Sequence, residues 1–212
     1  MHTVATLPDE TLAHTVIAAA PAEAVHSVWR TSIRFTIVTT ILFGLAYPLV
    51  ITGLARAIFP HRAAGSLILR NGQVIGSELL AQSFTSDKYF HPRPSAAGNG
   101  YDATSSGGTN LAQSNAKLAT RIQGDIDKLA AQNPGKPVPI DMVTTSGSGL
   151  DPDITPDNAY YQAPSVAKAR GLTESAVRDL IAKHTARRDL GFLGEPRVNV
   201  LELNLALDDL AK

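Results

Sequence analysis

Two glycine-rich runs are the first places to look for chemistry, because consecutive backbone N–H groups in such turns can cradle a phosphate. They are Ser105-Ser106-Gly107-Gly108-Thr109-Asn110 and Ser146-Gly147-Ser148-Gly149. The first would offer Ser106, Gly107 and Gly108 to a nucleotide if it opened a helix, but neither run carries the lysine and spacing of a P-loop. Tight turns and helix caps are the simpler use of both. Ser106 sits in no Gly-x-Ser-x-Gly elbow, so the sequence supports no Ser-His-Asp hydrolase built on it. Asp151, Asp153 and Asp157 miss the EF-hand spacing and are stiffened by Pro152 and Pro156, which suits turns and caps. His61, His91 and His184 lie far apart without a paired ligand pattern, so no metal site is expected. Arg93, held between Pro92 and Pro94, suits a fixed hydrogen bond to a carboxylate or a backbone carbonyl. Glu195 and Arg197, flanking Pro196, would pair with each other or face a partner.

Composition narrows the classes further. With 19 Lys plus Arg against 19 Asp plus Glu, no net field draws nucleic acid. The absence of Cys excludes disulfides, thiolate zinc sites and cysteine nucleophiles. The 13 Pro and 16 Gly imply many turns and short elements.

The elements that must position these residues start with an uncharged stretch. Phe35 to Leu54 is twenty residues without a charge, which at about 1.5 Å per residue covers about 30 Å, the thickness of bilayer hydrocarbon. Arg30, Arg34, Arg56 and Arg62 flank it, with Trp29 and Phe59 placed for the interfaces. Within it Thr36, Thr40, Gly44, Pro48 and Thr52 recur every fourth residue and mark a strip where a second helix could approach. Alternatively Thr and Gly are simply common in spanning helices and Pro48 kinks this one. A cleavable signal is the rival for the whole stretch, since Ala55 and Ala57 match a small-x-small site. Its length exceeds the usual apolar core of about 7–15 residues, and no compact basic start precedes it, so retention is expected. Charge gives no firm orientation: Arg30 and Arg34 before the span stand against Arg56, Arg62 and Arg70 after it, nearly balanced and leaning slightly against an exported C-terminal domain.

The domain expectation is a tail over 1–32, a transmembrane helix over 33–59 and a soluble α+β domain over 60–212. The first 29 residues show no lasting periodicity, although 18–24 suggest a short helix interrupted by Pro21. Asn71-Gly72 between Ser66–Leu69 and Gln73–Ile75 predicts a β-hairpin. Residues 84–110, with Phe84, Tyr89, Phe90 and Tyr101 among prolines and glycines, read as a long ordered loop with aromatic plugs. A helix capped by Asn115 carries Leu118, Ile122, Ile126 and Leu129 on one face. Pro139 to Val143 reads as a short buried strand. Thr155-Pro156 opens a helix broken near Pro164, which resumes over Ser165–Arg170 and stops at Gly171. Thr173 caps a helix with Val177, Leu180 and Ile181 inward, and the alternation over Val198–Leu205 predicts a final strand.

A series of motifs in fixed order carries a resemblance. The series runs through Gly76-Ser77 and Phe84; Tyr89-Phe90; Arg93-Pro94-Ser95-Ala96; Tyr101-Asp102; and Ser106-Gly107-Gly108-Thr109-Asn110-Leu111. It continues with Val143-Thr144, Ser146-Gly147-Ser148-Gly149-Leu150-Asp151-Pro152, Val166-Ala167, Ala169-Arg170, Gly194-Glu195-Pro196-Arg197-Val198-Asn199-Val200 and Leu203-Asn204. From the apolar span to the C-terminus the chain resembles the C subunit (KdpC) family of Kdp-type potassium-transporting P-type ATPases. The resemblance implies one transmembrane helix, an extracytoplasmic α+β domain and a place in the bacterial inner membrane. It also implies assembly with a potassium-channel-like subunit, a P-type ATPase subunit and a small stabilising peptide, with potassium as the ion carried. In that family a role as catalytic chaperone, raising the ATPase subunit's affinity for ATP, has been proposed. The Asp-Lys-Thr-Gly-Thr phosphorylation motif is absent here, so the expectation is a non-catalytic accessory subunit. Two features depart from the family: the N-terminal extension over 1–29, and Asp153 where a His is common. The competing expectation is a tethered extracytoplasmic binding protein unrelated to any pump.

Overall fold

In a computed structural model the chain is described over residues 22–210. Of the tail expected over 1–32, residues 1–21 lie outside the described residues, and helix α1 (Ala22–Ile41) occupies the remainder. A wide π turn (Leu42–Ala46) joins α1 to α2 (Tyr47–Ile58). Ser27–Ile58 is thereby one helix of 32 residues, apolar enough to cross a membrane and with none of its residues buried. At about 1.5 Å per residue it has length to spare over the hydrocarbon layer of about 30 Å.

Pro48 explains the wide turn. It has no N–H to give the carbonyl of Gly44, and its ring crowds that carbonyl. The chain responds one residue earlier, where the Tyr47 N–H reaches back to Leu42 O, five residues away.

The chain divides into two units between Ile58 and Phe59. The second opens with a short turn of helix, α3 (Pro60–Ala63), and the expected hairpin, β1 (Leu67–Arg70) with β2 (Gln73–Ser77). Asn71 and Gly72 take φ of 54° and 78° at its turn, as a tight hairpin requires, and a bulge falls between Ile68 and Leu69. Next comes an irregular stretch to α4 (Ala116–Gln132), whose Asn115 cap accepts the Lys117 N–H at 2.9 Å. A three-stranded antiparallel sheet has β5 (Arg197–Asn199) between β3 (Asp153–Ile154) and β4 (Thr185–Ala186). Against it pack α5 (Pro156–Arg170), α6 (Glu174–His184) and α7 (Val200–Leu210). The fold is α+β, as expected. Ile154, Ala163, Val166, Val177, Ile181, Val198, Leu203 and Leu207 form the core.

Three local expectations are corrected. The strand predicted over Val198–Leu205 ends at Asn199, and α7 follows. Val200, Leu201, Leu203, Asn204 and Leu207 are buried, and four of them, Val200, Leu203, Asn204 and Leu207, are spaced i, i+3, i+4, i+7, so the helical period wins over the alternation. Asn199 caps it by accepting the Glu202 N–H at 3.2 Å. Helix α5 is not broken at Pro164 but runs through it to Gly171, which ends it at φ 68°. Ala159, Ala163, Val166 and Ala167 are buried on both sides of the proline, and this packing outweighs one missing hydrogen bond. The strand expected at Pro139–Val143 is a 3₁₀ turn over Ile140–Met142. Ile140 is outside, 75% exposed, while Asp141 is turned inward.

The inward polar groups explain how the irregular stretch stays in place. Phe90, fully buried, has its N–H accepted by Asn204 Oδ1 at 2.8 Å, while Asn204 Nδ2 donates to Phe90 O at 3.0 Å. One residue on, Gln162 accepts the His91 N–H at 2.9 Å and donates to His91 O at 3.0 Å. Gln162 also donates to Asn158 Oδ1, and Asn158 Nδ2 to Asp141 Oδ2 at 3.0 Å. Asp141 closes the chain by accepting the Thr155 N–H at 2.8 Å. Two side-chain amides thus do for Phe90 and His91 what a neighbouring strand would do. Asn204→Ala leaves both Phe90 backbone groups unpaired in the core and is expected to cost about 2–4 kcal/mol, read as a lowered thermal midpoint of the full chain in detergent.

Candidate functional site

The two glycine-rich runs meet. Gly107 N–H donates to Ser148 O at 2.8 Å and the Ser106 hydroxyl to the same carbonyl at 3.0 Å. Ser95 Oγ donates to Gly149 O at 2.6 Å while accepting the N–H groups of Ala97 and Tyr101. Arg93 binds the Asp151 carboxylate at 3.1 Å and the Thr144 carbonyl at 3.4 Å, so both kinds of acceptor expected of it are present. The Tyr101 hydroxyl donates back to Arg93 O at 2.9 Å, and burial pushes its pKa up. Asp151 also turns the chain by accepting the Asp153 N–H.

This interleaving bears on the nucleotide candidates. Of Ser106, Gly107 and Gly108, the first gives its hydroxyl and the second its N–H to Ser148 O, and the run leads into irregular chain rather than a helix, α4 starting only at Ala116. The Ser106 hydroxyl faces a carbonyl, not a histidine. The arrangement is a knot of two loops, suited to presenting a rigid surface. Gly149 is its tightest point: at φ 68° a Cβ would lie 2.6 Å from Gly107 O and 2.7 Å from Ala97 N, both backbone.

The membrane helix carries the other sequence candidates. Thr36 and Thr40 lie on α1, Gly44 in the π turn, and Pro48 and Thr52 on α2. Four steps of four residues at about 100° per residue would wind such a strip about 160° round an ideal helix. The wide turn advances less per residue and takes part of that drift back, so the five positions lie nearer one face than an unbroken α-helix would put them.

A polar cleft of about 510 Å³ was not legible beforehand; Glu78, Asp153, His184, Arg197, Asn199 and Glu202 line it. Burial, helped by the charge of Glu78, raises the pKa of Glu202, with His184 opposing. Burial and the charge of Asp151 raise that of Asp153 against the pull of Arg197, 3.3 Å away. His61 adds a contact to Glu78 at 3.1 Å. Arg197 thus pairs with Asp153, and Glu195 with Arg188; the pairing of Glu195 with Arg197 that their spacing suggested does not form.

Two measurements follow from this geometry. Gly149→Ala is expected to cost about 2–4 kcal/mol through backbone overlap and strain, whereas Gly100→Ala, at φ 108° with open space around it, costs only about 1–2 kcal/mol; thermal melts of the full chain compare them. Because the folded state holds the Glu202 proton more tightly than the unfolded chain does, this group's contribution to stability is fully present below the ordinary glutamate range and is lost as pH rises through the raised value. Glu202→Gln should therefore raise the melting temperature at neutral pH and lose that advantage in acid, and an equal effect at both would contradict the assignment.

Comparison with known proteins follows the same residues. The family described as KdpC, the c chain of K+-transporting ATPase, matches residues 29–209. The chain is 57% identical over 178 residues to the potassium-transporting ATPase KdpC subunit of Koribacter versatilis, covering 84% of this chain and 92% of that one. It is 58% identical over 182 residues to that of Acidobacterium capsulatum, covering 85% and 97%. With that of Methylobacterium nodulans it shares 53% over 194 residues, covering 86% and 96%. None of these matches supports a tethered binding protein working apart from a pump. Two interlocked loops, an amide-pinned core and one long apolar helix are thus the local forms of a known subunit, and the chain belongs to the KdpC family of potassium-transporting ATPase subunits.

Proposed function

We propose that this chain is a non-catalytic accessory subunit of an ATP-driven potassium uptake complex, supporting the assembly and activity of the pump. The observation that carries the reading is the family match over 29–209, joined to a sequence without the phosphorylation motif that phosphoryl transfer by a P-type ATPase requires. On this reading the helix over 33–59 crosses the bacterial inner membrane once, and the α+β domain over 60–212 stands on the extracytoplasmic side. Its partners are a potassium-channel-like subunit, a P-type ATPase subunit and a small stabilising peptide. Potassium is the ion the complex carries; ATP is spent on the ATPase subunit.

The strip Thr36, Thr40, Gly44, Pro48 and Thr52 is the proposed docking face for a partner helix. Small residues let backbones approach where no hydrophobic driving force separates helix from lipid. Contact with ATP through Ser106, Gly107 and Gly108 has weaker support. Ser106 and Gly107 already donate to Ser148, and a domain outside the membrane does not meet cytoplasmic ATP. Support of assembly or of potassium entry fits better than a nucleotide-binding chaperone.

Deletion of the chain from a cell that relies on this pump is expected to abolish growth at micromolar potassium, with growth restored by the full-length chain. The partner's phosphorylated aspartate stays present throughout, so unimpaired growth after deletion would contradict the reading.

A further inference from the structure

The turn joining β4 to β5 points its apolar residues away from the core. Leu190, Phe192 and Leu193 are 83%, 69% and 49% exposed. This tip is built rather than loose. Asp189 and Leu193 exchange both backbone hydrogen bonds at 2.9 Å, and Gly191 N–H donates to Arg188 O at 3.1 Å. The bend needs left-handed backbone at two successive residues, Leu190 at φ 54° and Gly191 at φ 84°. A leucine there is strained, at a position local energetics would give to Gly or Asn. No burial offsets that strain: among the described residues the Leu190 side chain is the most exposed of the large apolar ones.

The charges at the base say what kind of surface the tip fits. Arg188 pairs with Glu195, and Arg197 lies between Asp153 at 3.3 Å and Asp189 at 3.9 Å. Arg187 is exposed and has no ion-pair partner among the described residues. An anionic lipid surface is poorly matched: Asp189 and Glu195 would be carried toward like charge, most of the arginine charge is already spent, and fluid acyl chains need no fixed backbone to receive them. An apolar centre ringed by charged groups that, Arg187 apart, are paired with one another has instead the anatomy of a protein interface, with Phe192 as its aromatic anchor.

We propose that this tip is a docking knob: Leu190, Phe192 and Leu193 enter an apolar socket on a neighbouring subunit of the complex, with a carboxylate at the socket's edge to receive Arg187. The knob rests on the accessory-subunit reading above and adds to it which surface of the domain makes the contact.

A photoreactive phenylalanine analogue at position 192 of the full chain, in the assembled complex within its membrane, tests this directly. The expected product is a covalent adduct with a different polypeptide subunit. An adduct with lipid, an adduct with a second copy of this chain, or no adduct would each overturn the knob. In parallel, the double variant Leu190→Asn with Phe192→Ser should keep or raise the melting temperature of the full chain in detergent. Its retention with the complex through gel filtration should fall about tenfold, the loss typical of removing an interface anchor. Retention equal to the unsubstituted chain overturns the knob and leaves the accessory reading standing, whereas failure of the unsubstituted chain to co-purify with any pump subunit removes both. Should the double variant melt early, the adduct at position 192 decides alone.

Discussion

The long irregular stretch over residues 84–110 is held to the helical core by a pair of side-chain amides reading two successive peptide groups. Asn204 on α7 takes both backbone groups of Phe90, and Gln162 on α5 takes both of His91. Residues 84–110 have no strand to pair with, and a buried peptide group without a partner costs more than most single contacts return. The amides remove that cost and place the Phe90 ring in the core at the same stroke. The line then runs on through Asn158 and Asp141 to the start of α5, so the loop, the 3₁₀ turn and a helix N-terminus are held as one network. Such a network is worth most when every member is satisfied.

With its first end pinned, the long loop can be used as a surface. Arg93 and Ser95 tie it to the second glycine-rich run, and Gly149 lets the two backbones come within contact distance. Arg170 adds a brace from α5, donating to Lys88 O, pairing with Asp208 on α7 and lying 4.7 Å over the Tyr89 ring. These contacts spend the polar groups of the loops on one another. The Ser106 hydroxyl and the Gly107 N–H are both aimed at the Ser148 carbonyl. The result is two loops fixed to each other over a short span of backbone.

The membrane helix shows a similar economy. Pro48 forbids one α-helical hydrogen bond, and the chain answers with a π turn at Gly44 rather than a break. The same local event reconciles a four-residue spacing of small side chains with a helix whose natural repeat is 3.6.

Much of this was legible beforehand, for reasons that are local. An uncharged run of twenty residues has few options other than a spanning helix, Asn-Gly dictates a tight hairpin turn, and Asn115, Thr155 and Thr173 each cap a helix through their own neighbours. The order of motifs placed the chain in its family, since that information lies in residue identity alone. Three features were decided only by packing across the chain. Leu201, Leu203 and Leu205 alternate like a strand, and it is burial of Val200, Leu203, Asn204 and Leu207 on one side that makes the segment helical. Pro164 signals a break that the buried alanines around it override. The partners of Asn204 and Gln162 lie 114 and 71 residues away, and no rule of spacing joins them. Short-range chemistry is written in adjacent residues, whereas a hydrogen bond across a hundred residues exists only once the chain has folded and water has been excluded from both ends.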